Sequence, residues 1–219
     1  MLVDFLIDLA SILIGYLVGS VSFSRIVTGL VSPEADLQGT PAPVEGTDEK
    51  LHMSGISATS VRLRLGPRYG LLVSFLDMVK VAVPVGAFRF FFPDLPAHIF
   101  AAAGGLIGHN WPLYYKFNGG YGHSAIYGAL LVIEWTAIPI NLLGTAVFYF
   151  IFRQVHYALL GGVLLLIPWL WYLGYDTYTL LYAGLCSAAY FIRILPDLRA
   201  YRQIVSRKSK TTEVGKERE

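Results

Sequence analysis

Residues 70–92 read GLLVSFLDMVKVAVPVGAFRFFF, a run whose only charges are Asp77, Lys80 and Arg89. A bilayer core about 30 Å thick needs roughly 20 such residues as an α-helix, so the run has the length of a membrane span. Stretches 5–28, 97–115, 122–138, 139–153, 156–174 and 177–195 fit the same pattern. Composition agrees: the 219 residues are 55% hydrophobic and 15% charged, against about 45–50% and about 25% in an average soluble domain. The expected fold is an all-α polytopic membrane protein of about seven transmembrane helices. Cys186 is the single cysteine, which excludes a disulfide scaffold, and a net charge of +2 gives no reason to expect nucleic acid as a partner.

The first stretch reads as a mature helix and not as a signal peptide. Asp4 and Asp8 stand where a basic region would be, and Gly19, Ser20 and Ser22 suit packing. The fourth and fifth stretches are the shortest and meet around Glu134, Pro139 and Asn141, so one of them is a candidate re-entrant or tilted segment. Lysine and arginine set the orientation. Arg62, Arg64 and Arg68 precede the second span, Lys116 follows the third, and Arg153 separates the fifth from the sixth. Arg193, Arg199, Arg202, Arg207, Lys208, Lys210, Lys216 and Arg218 crowd the C-terminal end. With the N-terminus outside and the C-terminus in the cytoplasm, all of these fall on the inner face, and Arg89 snorkels at the outer one. The chain then divides into a seven-helix membrane domain, 1–196, with a cytoplasmic loop at 31–69, and a basic cytoplasmic tail, 197–219. The tail is expected to rest on anionic lipid as a short helix before becoming disordered. Residues 31–50, with Pro33, Gly39, Pro41, Pro43 and Gly46, read as a flexible excursion.

A charge in the hydrocarbon costs at least about 2.5–3.5 kcal/mol, so each one needs a reason. Asp77 and Lys80 are spaced i, i+3 and share a helix face. They form either a structural ion pair or a pair whose cation is offered to an anionic substrate. His109-Asn110-Trp111-Pro112 ends the third span, since proline disfavours helix in the residue before it. Lys116-Phe117-Asn118-Gly119-Gly120-Tyr121-Gly122-His123-Ser124 then opens the fourth. Gly119, Gly120 and Gly122 ahead of a helix N-terminus suit an anion nest, or equally close helix packing. Gly15 and Gly19, four apart, read as a packing pair. There is no H-E-x-x-H, no Cys/His cluster and no G-x-S-x-G, so metalloenzyme and serine-hydrolase chemistry have no support, and neither a metal nor a cofactor is expected.

Four blocks in order carry a resemblance. They are Gly15-Tyr16-Leu17-Val18-Gly19-Ser20-Val21-Ser22-Phe23; Ser54 through Gly66, which contains Ala58-Thr59; Leu76-Asp77-Met78-Val79-Lys80; and Gly108-His109-Asn110-Trp111-Pro112 through Phe117-Asn118-Gly119-Gly120-Tyr121-Gly122. Together they resemble the PlsY-type acyl-phosphate:glycerol-3-phosphate acyltransferases of bacteria. The resemblance implies a multi-pass plasma-membrane enzyme with its active site facing the cytoplasm. It would transfer a fatty acyl group from acyl phosphate to the 1-hydroxyl of glycerol 3-phosphate, giving lysophosphatidate for phospholipid synthesis. It also implies roles. His109, Lys80 and Ser54 become the candidate catalytic residues, and Ser20, Thr59, Arg62, Arg64, Asp77, Gly119, Gly120 and Gly122 the candidate substrate-binding ones.

The sequence also departs from the family pattern G-S-G-N-x-G-A-T-N-x-x-R. Aligned on Ala58-Thr59, the early serine falls at Met53, the first asparagine at Gly55 and the arginine at Leu63. A local shift would let Ser54, Arg62 or Arg64 take those roles. Tyr121 replaces the lysine of the glycine loop, and the family's late His/Asn pair has no clear match around Arg193–Asp197. Two further readings therefore stand beside the enzyme: a divergent, non-catalytic relative that binds a lipid or a protein partner, and a small transporter.

Overall fold

A computed structural model describes the backbone of residues 1–44 and 47–216 and the side chains of 1–44 and 47–207. Glu45 and Gly46 of the expected excursion, residues 217–219, and the side chains of Lys208, Lys210, Lys216 and Arg218 lie outside the described residues. The helices are α1 (Leu2–Gly19), α2 (Phe23–Val31), α3 (Ala58–Leu65), α4 (Pro67–Phe91), α5 (Ala97–Asn110), α6 (His123–Ile133), α7 (Ala137–Phe152), α8 (Val155–Leu164), α9 (Leu166–Tyr172) and α10 (Thr177–Lys216). Leu2–Val31, Pro67–Phe91, Val155–Tyr172 and Thr177–Arg207 are each long and apolar enough to cross a membrane, while α6 and α7 are shorter apolar helices. Their outer faces expose large apolar side chains such as Leu71, Phe75, Phe90, Phe150 and Leu181. That much exposed hydrocarbon is what a lipid-facing surface presents.

Proline and serine account for where the helices deviate from the expected spans. The first span breaks after Gly19. Ser20 Oγ donates to the Tyr16 carbonyl at 2.7 Å, and Ser22 caps α2 by accepting the Arg25 N–H. The third stops at Asn110 because Pro112 forces Trp111 out of helical geometry (φ −131°, ψ 71°). A single 3₁₀ turn, Leu113–Tyr115, follows, and Lys116 and Phe117 then adopt left-handed φ values of 51° and 59°. The sixth is split between α8 and α9, since Pro168 has no N–H to give the Leu164 carbonyl. The seventh does not end at 195: α10 runs on through Pro196 and Asp197.

Without water to drive apolar faces together, membrane helices associate through close contact at small residues. α1 and α5 show this. Gly15 and Gly19 on one helix meet Ala101 and Gly105 on the other, while Gly104 and Gly108 sit against the α1 backbone at Ile12 and Tyr16. A Cβ on Gly19 would fall 2.8 Å from Gly105 Cα, and one on Gly108 would fall 2.9 Å from Ser20 N. The main core lies between α4, α5, α6 and α10 and includes Val81, Leu106, Ile126, Leu130 and Cys186.

The 31–50 stretch is not a free excursion. β1 (Pro41–Pro43) pairs antiparallel with β2 (Lys50–His52), and Val44 and Leu51 pack on Ile204 of α10. Leu37, Val27 and Ile56 form a second small core with Val61 and Val73. The physical reason is distant in sequence, because the apolar residues of this stretch find their partners on α10 and α4.

The α1–α5 contact yields a stability test. Gly104→Val should lower the thermal midpoint of the purified protein by several degrees, in keeping with an overpacking cost of about 1–3 kcal/mol. Gly29→Ala, at a site with open space around it, should leave the midpoint unchanged or raise it slightly.

Candidate active site

The break between α1 and α2 leaves the Val21 carbonyl without a helical partner, an expensive omission inside a membrane. Lys80 supplies one. Its Nζ donates to Val21 O at 2.6 Å and lies 2.7 Å from Asp77 Oδ1, with both side chains almost fully buried. The i, i+3 spacing on α4 places the carboxylate and ammonium together, and Phe23 packs its ring 5.9 Å from the ammonium. His109, at the last turn of α5, brings its Nδ1 to 3.8 Å from the same Asp77 oxygen. Beside this group is a small cavity of about 10 Å³, walled by Ser20, Val21, Ser24, Lys80, His109 and Gly120, about enough for one water.

The glycine loop closes over His109. Gly120 N–H donates to the His109 carbonyl at 3.1 Å, so that amide of the expected anion nest is already committed. The loop turns its carbonyls toward a cation: Arg193 on α10 donates from Nη2 to Gly119 O at 2.7 Å and from Nε to Gly120 O at 3.0 Å. Gly119 O also accepts the Ile56 N–H at 2.9 Å. Added Cβ atoms at Gly119 and Gly122 would lie 2.6 Å from Pro112 Cδ and 2.7 Å from Asn110 Oδ1, and Gly122 has φ 98°. These glycines allow the loop to lie against the end of α5.

A second cavity of about 540 Å³ shares Asp77 and His109 with the first. Thr59 and Arg62 of α3, Tyr121 and Gly122 line its polar side, and Val44, Leu51 and Met53 contribute an apolar one. The structure thus brings together Ser20, Lys80, Asp77, His109 and Gly120 at the small cavity, and Thr59, Arg62, Asp77, His109 and Gly122 at the large one. Arg64 is exposed and, two residues past Arg62, belongs to another face of α3. Ser54 is held by its backbone, whose N–H donates to Asp197 Oδ1 at 2.9 Å.

Asp197, Tyr121, Arg193 and His156 were not singled out as site residues by the sequence. Asp197 is 1% exposed and accepts both the Ser54 N–H and the Tyr121 hydroxyl; Tyr121 Oη in turn accepts the Gly55 N–H at 3.1 Å. Burial first, and then the charge of Asp197, push the Tyr121 phenol well above its ordinary pKa, so it stays protonated and remains a donor. A Cβ on residue 55 would fall 2.7 Å from the Tyr121 ring, so a tyrosine at 121 in this position needs glycine at 55. A carboxylate directly after an apolar span was the available signal for Asp197. Nothing local marked His156, whose Nε2 lies 3.6 Å from Asp197 Oδ2.

The family model for glycerol-3-phosphate acyltransferase matches residues 9–203. The glycerol-3-phosphate acyltransferase of Myxococcus xanthus is 32% identical over 142 residues, covering 64% of this chain and 67% of that protein. The enzyme of Mesoplasma florum is 32% identical over 176 residues, covering 76% and 64%, and a second one from Thermotoga maritima is 29% identical over 170, covering 75% and 79%. The chain therefore spans about two thirds of the length of the first two relatives. In fold it is similar to the crystal structure of PlsY, an integral membrane glycerol 3-phosphate acyltransferase, in its glycerol 3-phosphate form. That likeness has a TM-score of 0.75 at 24% identity, covering 91% of this chain and 93% of that one. The lysophosphatidic acid form gives 0.73 at 23%. With a family model matched over most of its length, this membrane protein belongs to the glycerol-3-phosphate acyltransferase family.

Proposed function

We propose that the chain is an integral membrane acyltransferase that moves a fatty acyl group from acyl phosphate to the 1-hydroxyl of glycerol 3-phosphate, releasing lysophosphatidate for phospholipid synthesis. The observation that carries this reading is the 540 Å³ cavity against the buried charge centre. Thr59, Arg62, Asp77 and His109 line its polar side, and Val44, Leu51 and Met53 an apolar one. Phosphate-bearing head groups and an acyl chain need such a divided lining. Phosphate is a good leaving group, so holding the hydroxyl against the acyl carbon and stabilising the developing charge can supply much of the rate.

In this reading Arg62 and the cytoplasmic-side arginines hold phosphate and Thr59 positions the acceptor, while Ser54, which lines neither cavity, anchors its segment to Asp197. Asp77, Lys80 and His109 fix the α1–α2 break and the glycine loop relative to one another. The chain crosses the plasma membrane seven times with its N-terminus outside. Residues 1–196 form the membrane domain, and the basic 197–219 segment lies in the cytoplasm with the active site. A second reading, a relative that keeps the fold and binds lipid or protein without turnover, draws on the Tyr121–Asp197 hydrogen bond standing where the family has a lysine.

Full-length protein in lipid, given palmitoyl phosphate and labelled glycerol 3-phosphate, should form lysophosphatidate. Absence of product from folded protein would favour the second reading. Lys80→Ala should abolish product and destabilise the protein by about 3–5 kcal/mol, because it strands the Asp77 carboxylate. Asp77→Asn combined with Lys80→Met should recover only part of that stability in a thermal melt, because the Val21 carbonyl still lacks its donor, without recovering turnover. Arg62→Gln should raise KM for a phosphate-bearing substrate, while its melt stays that of the wild type.

A further inference from the structure

We propose that the β1–β2 hairpin selects the acyl chain, with Ala42 and Leu51 as the residues that set how long a chain the 540 Å³ cavity takes. This rests on the acyl-transfer reading above and deepens it by naming the element that determines donor specificity. The cavity is divided as an amphiphile with a phosphate head requires. Thr59 and Arg62 border it, and among the described residues no carboxylate is ion-paired with Arg62. Asp77 is the one carboxylate in the lining among the described residues, and its charge is answered by the Lys80 ammonium at 2.7 Å.

The part played by the hairpin follows from its register. Ala42 pairs with Leu51, so their side chains leave the same face of the two-stranded sheet. Lys50 and His52, on either side of Leu51, leave the other face and are exposed. Ala42 and Leu51 both line the cavity. Behind them the hairpin is backed by α10. Leu51 and Val44 pack on Ile204, with Ala200 and Tyr201 alongside, and Ala42 packs against a cluster that includes Met53, Ile194 and Leu198. The strand ends are tied as well, since Met53 N–H donates to Thr40 O at 3.0 Å and Thr40 Oγ1 to Leu37 O at 2.7 Å. A wall supported in this way cannot retreat, because packed interiors have little compressibility.

A strand pair that served only to cover α10 would spend its apolar face on α10 alone. Here that face also borders a cavity whose volume falls in the range of roughly 300–1,000 Å³ that encloses most of a small ligand. Glycerol 3-phosphate has no apolar part to place there, whereas the donor has an acyl chain. Each methylene that replaces water against the wall adds to binding until the wall is reached, and the next must displace packed side chains. Ala42 is the small residue of this face and Leu51 the large one, so the two can be changed in opposite senses.

The test gives the full chain, in lipid nanodiscs, labelled glycerol 3-phosphate and pairs of competing donors drawn from lauroyl, myristoyl, palmitoyl and stearoyl phosphate. Ala42→Phe should lower kcat/KM for the palmitoyl and stearoyl donors relative to the lauroyl donor by on the order of tenfold or more. Leu51→Ala should move the ratio the other way, toward the stearoyl donor. Lys50→Ala, on the outer face, should leave the ratio at its wild-type value. A merely structural role for the hairpin would lower turnover of all four donors together. Wild-type ratios in folded Ala42→Phe and Leu51→Ala would overturn the assignment, and if one variant fails to fold the other decides. A second measurement needs no turnover: the rise in melting midpoint caused by lysophosphatidates carrying the same four chains should fall in Ala42→Phe for the long chains. Should the wild type show that chain-length dependence without turnover, the acyl-transfer reading fails and the hairpin assignment stands. Equal midpoint shifts in wild type and Ala42→Phe overturn the assignment whatever the turnover.

Discussion

The Lys80 ammonium is the constraint on which the rest of the structure depends. A break in a helix leaves backbone groups without their intrahelical partners, and the break between α1 and α2 does so at Val21. Lys80 answers that carbonyl, Asp77 answers Lys80, and His109 sits over Asp77. Three elements from separate parts of the sequence therefore meet at one buried charge pair. The glycine loop then takes its position from His109 through the Gly120 amide. An ion pair buried in this way is weak support for stability in itself, because desolvation offsets much of the attraction. Its value here is positional, since it forces the α1–α2 break, α4 and α5 into one arrangement.

Loop and last helix are joined by a second polar knot. Arg193 gathers the carbonyls of Gly119 and Gly120, and Asp197 gathers Tyr121 and Ser54. One turn of α10 thus fastens the loop that opens α6 and the segment that leads into α3. The loop and the α3 segment are tied to α10 by one guanidinium, one carboxylate and neutral donors. Asp77 and His109 of the first knot and Tyr121 of the second all line the larger cavity.

What could be read from the chain itself was whatever is local. The positions of the four long apolar helices, the shared face of Asp77 and Lys80, the glycine pair of α1 and the stop at Pro112 all follow from spacing within a single helix. What could not be read depends on pairing across the fold. Spacing predicts that glycines precede a helix, but not whether their amides or their carbonyls turn inward, and Arg193 decides that from more than seventy positions away. The 31–50 stretch looked flexible because its prolines and glycines are local, whereas Val44 and Leu51 gain their partners from Ile204. Arg62 and Arg64 were indistinguishable by type, and only the helical phase of α3 places one on the cavity wall. His156 carried no signal at all until Asp197 was beside it.

The glycine contact between α1 and α5 has a thermodynamic corollary. Where two helices touch mainly through backbone atoms and glycine, few side-chain rotamers are frozen when they come together, so this joint forms with little of the ordering cost that long side chains carry. Nor can it adjust by switching rotamers. The spacing of α1 from α5 is set by backbone atoms, and with it the approach of Val21 to Lys80. The lipid-facing side of α1 can accept acyl chains of differing order or length while its inner side remains fixed. A joint set mainly by backbone contact fixes the wall that Gly19 and Ser20 give to the small cavity, although most of the α1 surface faces outward.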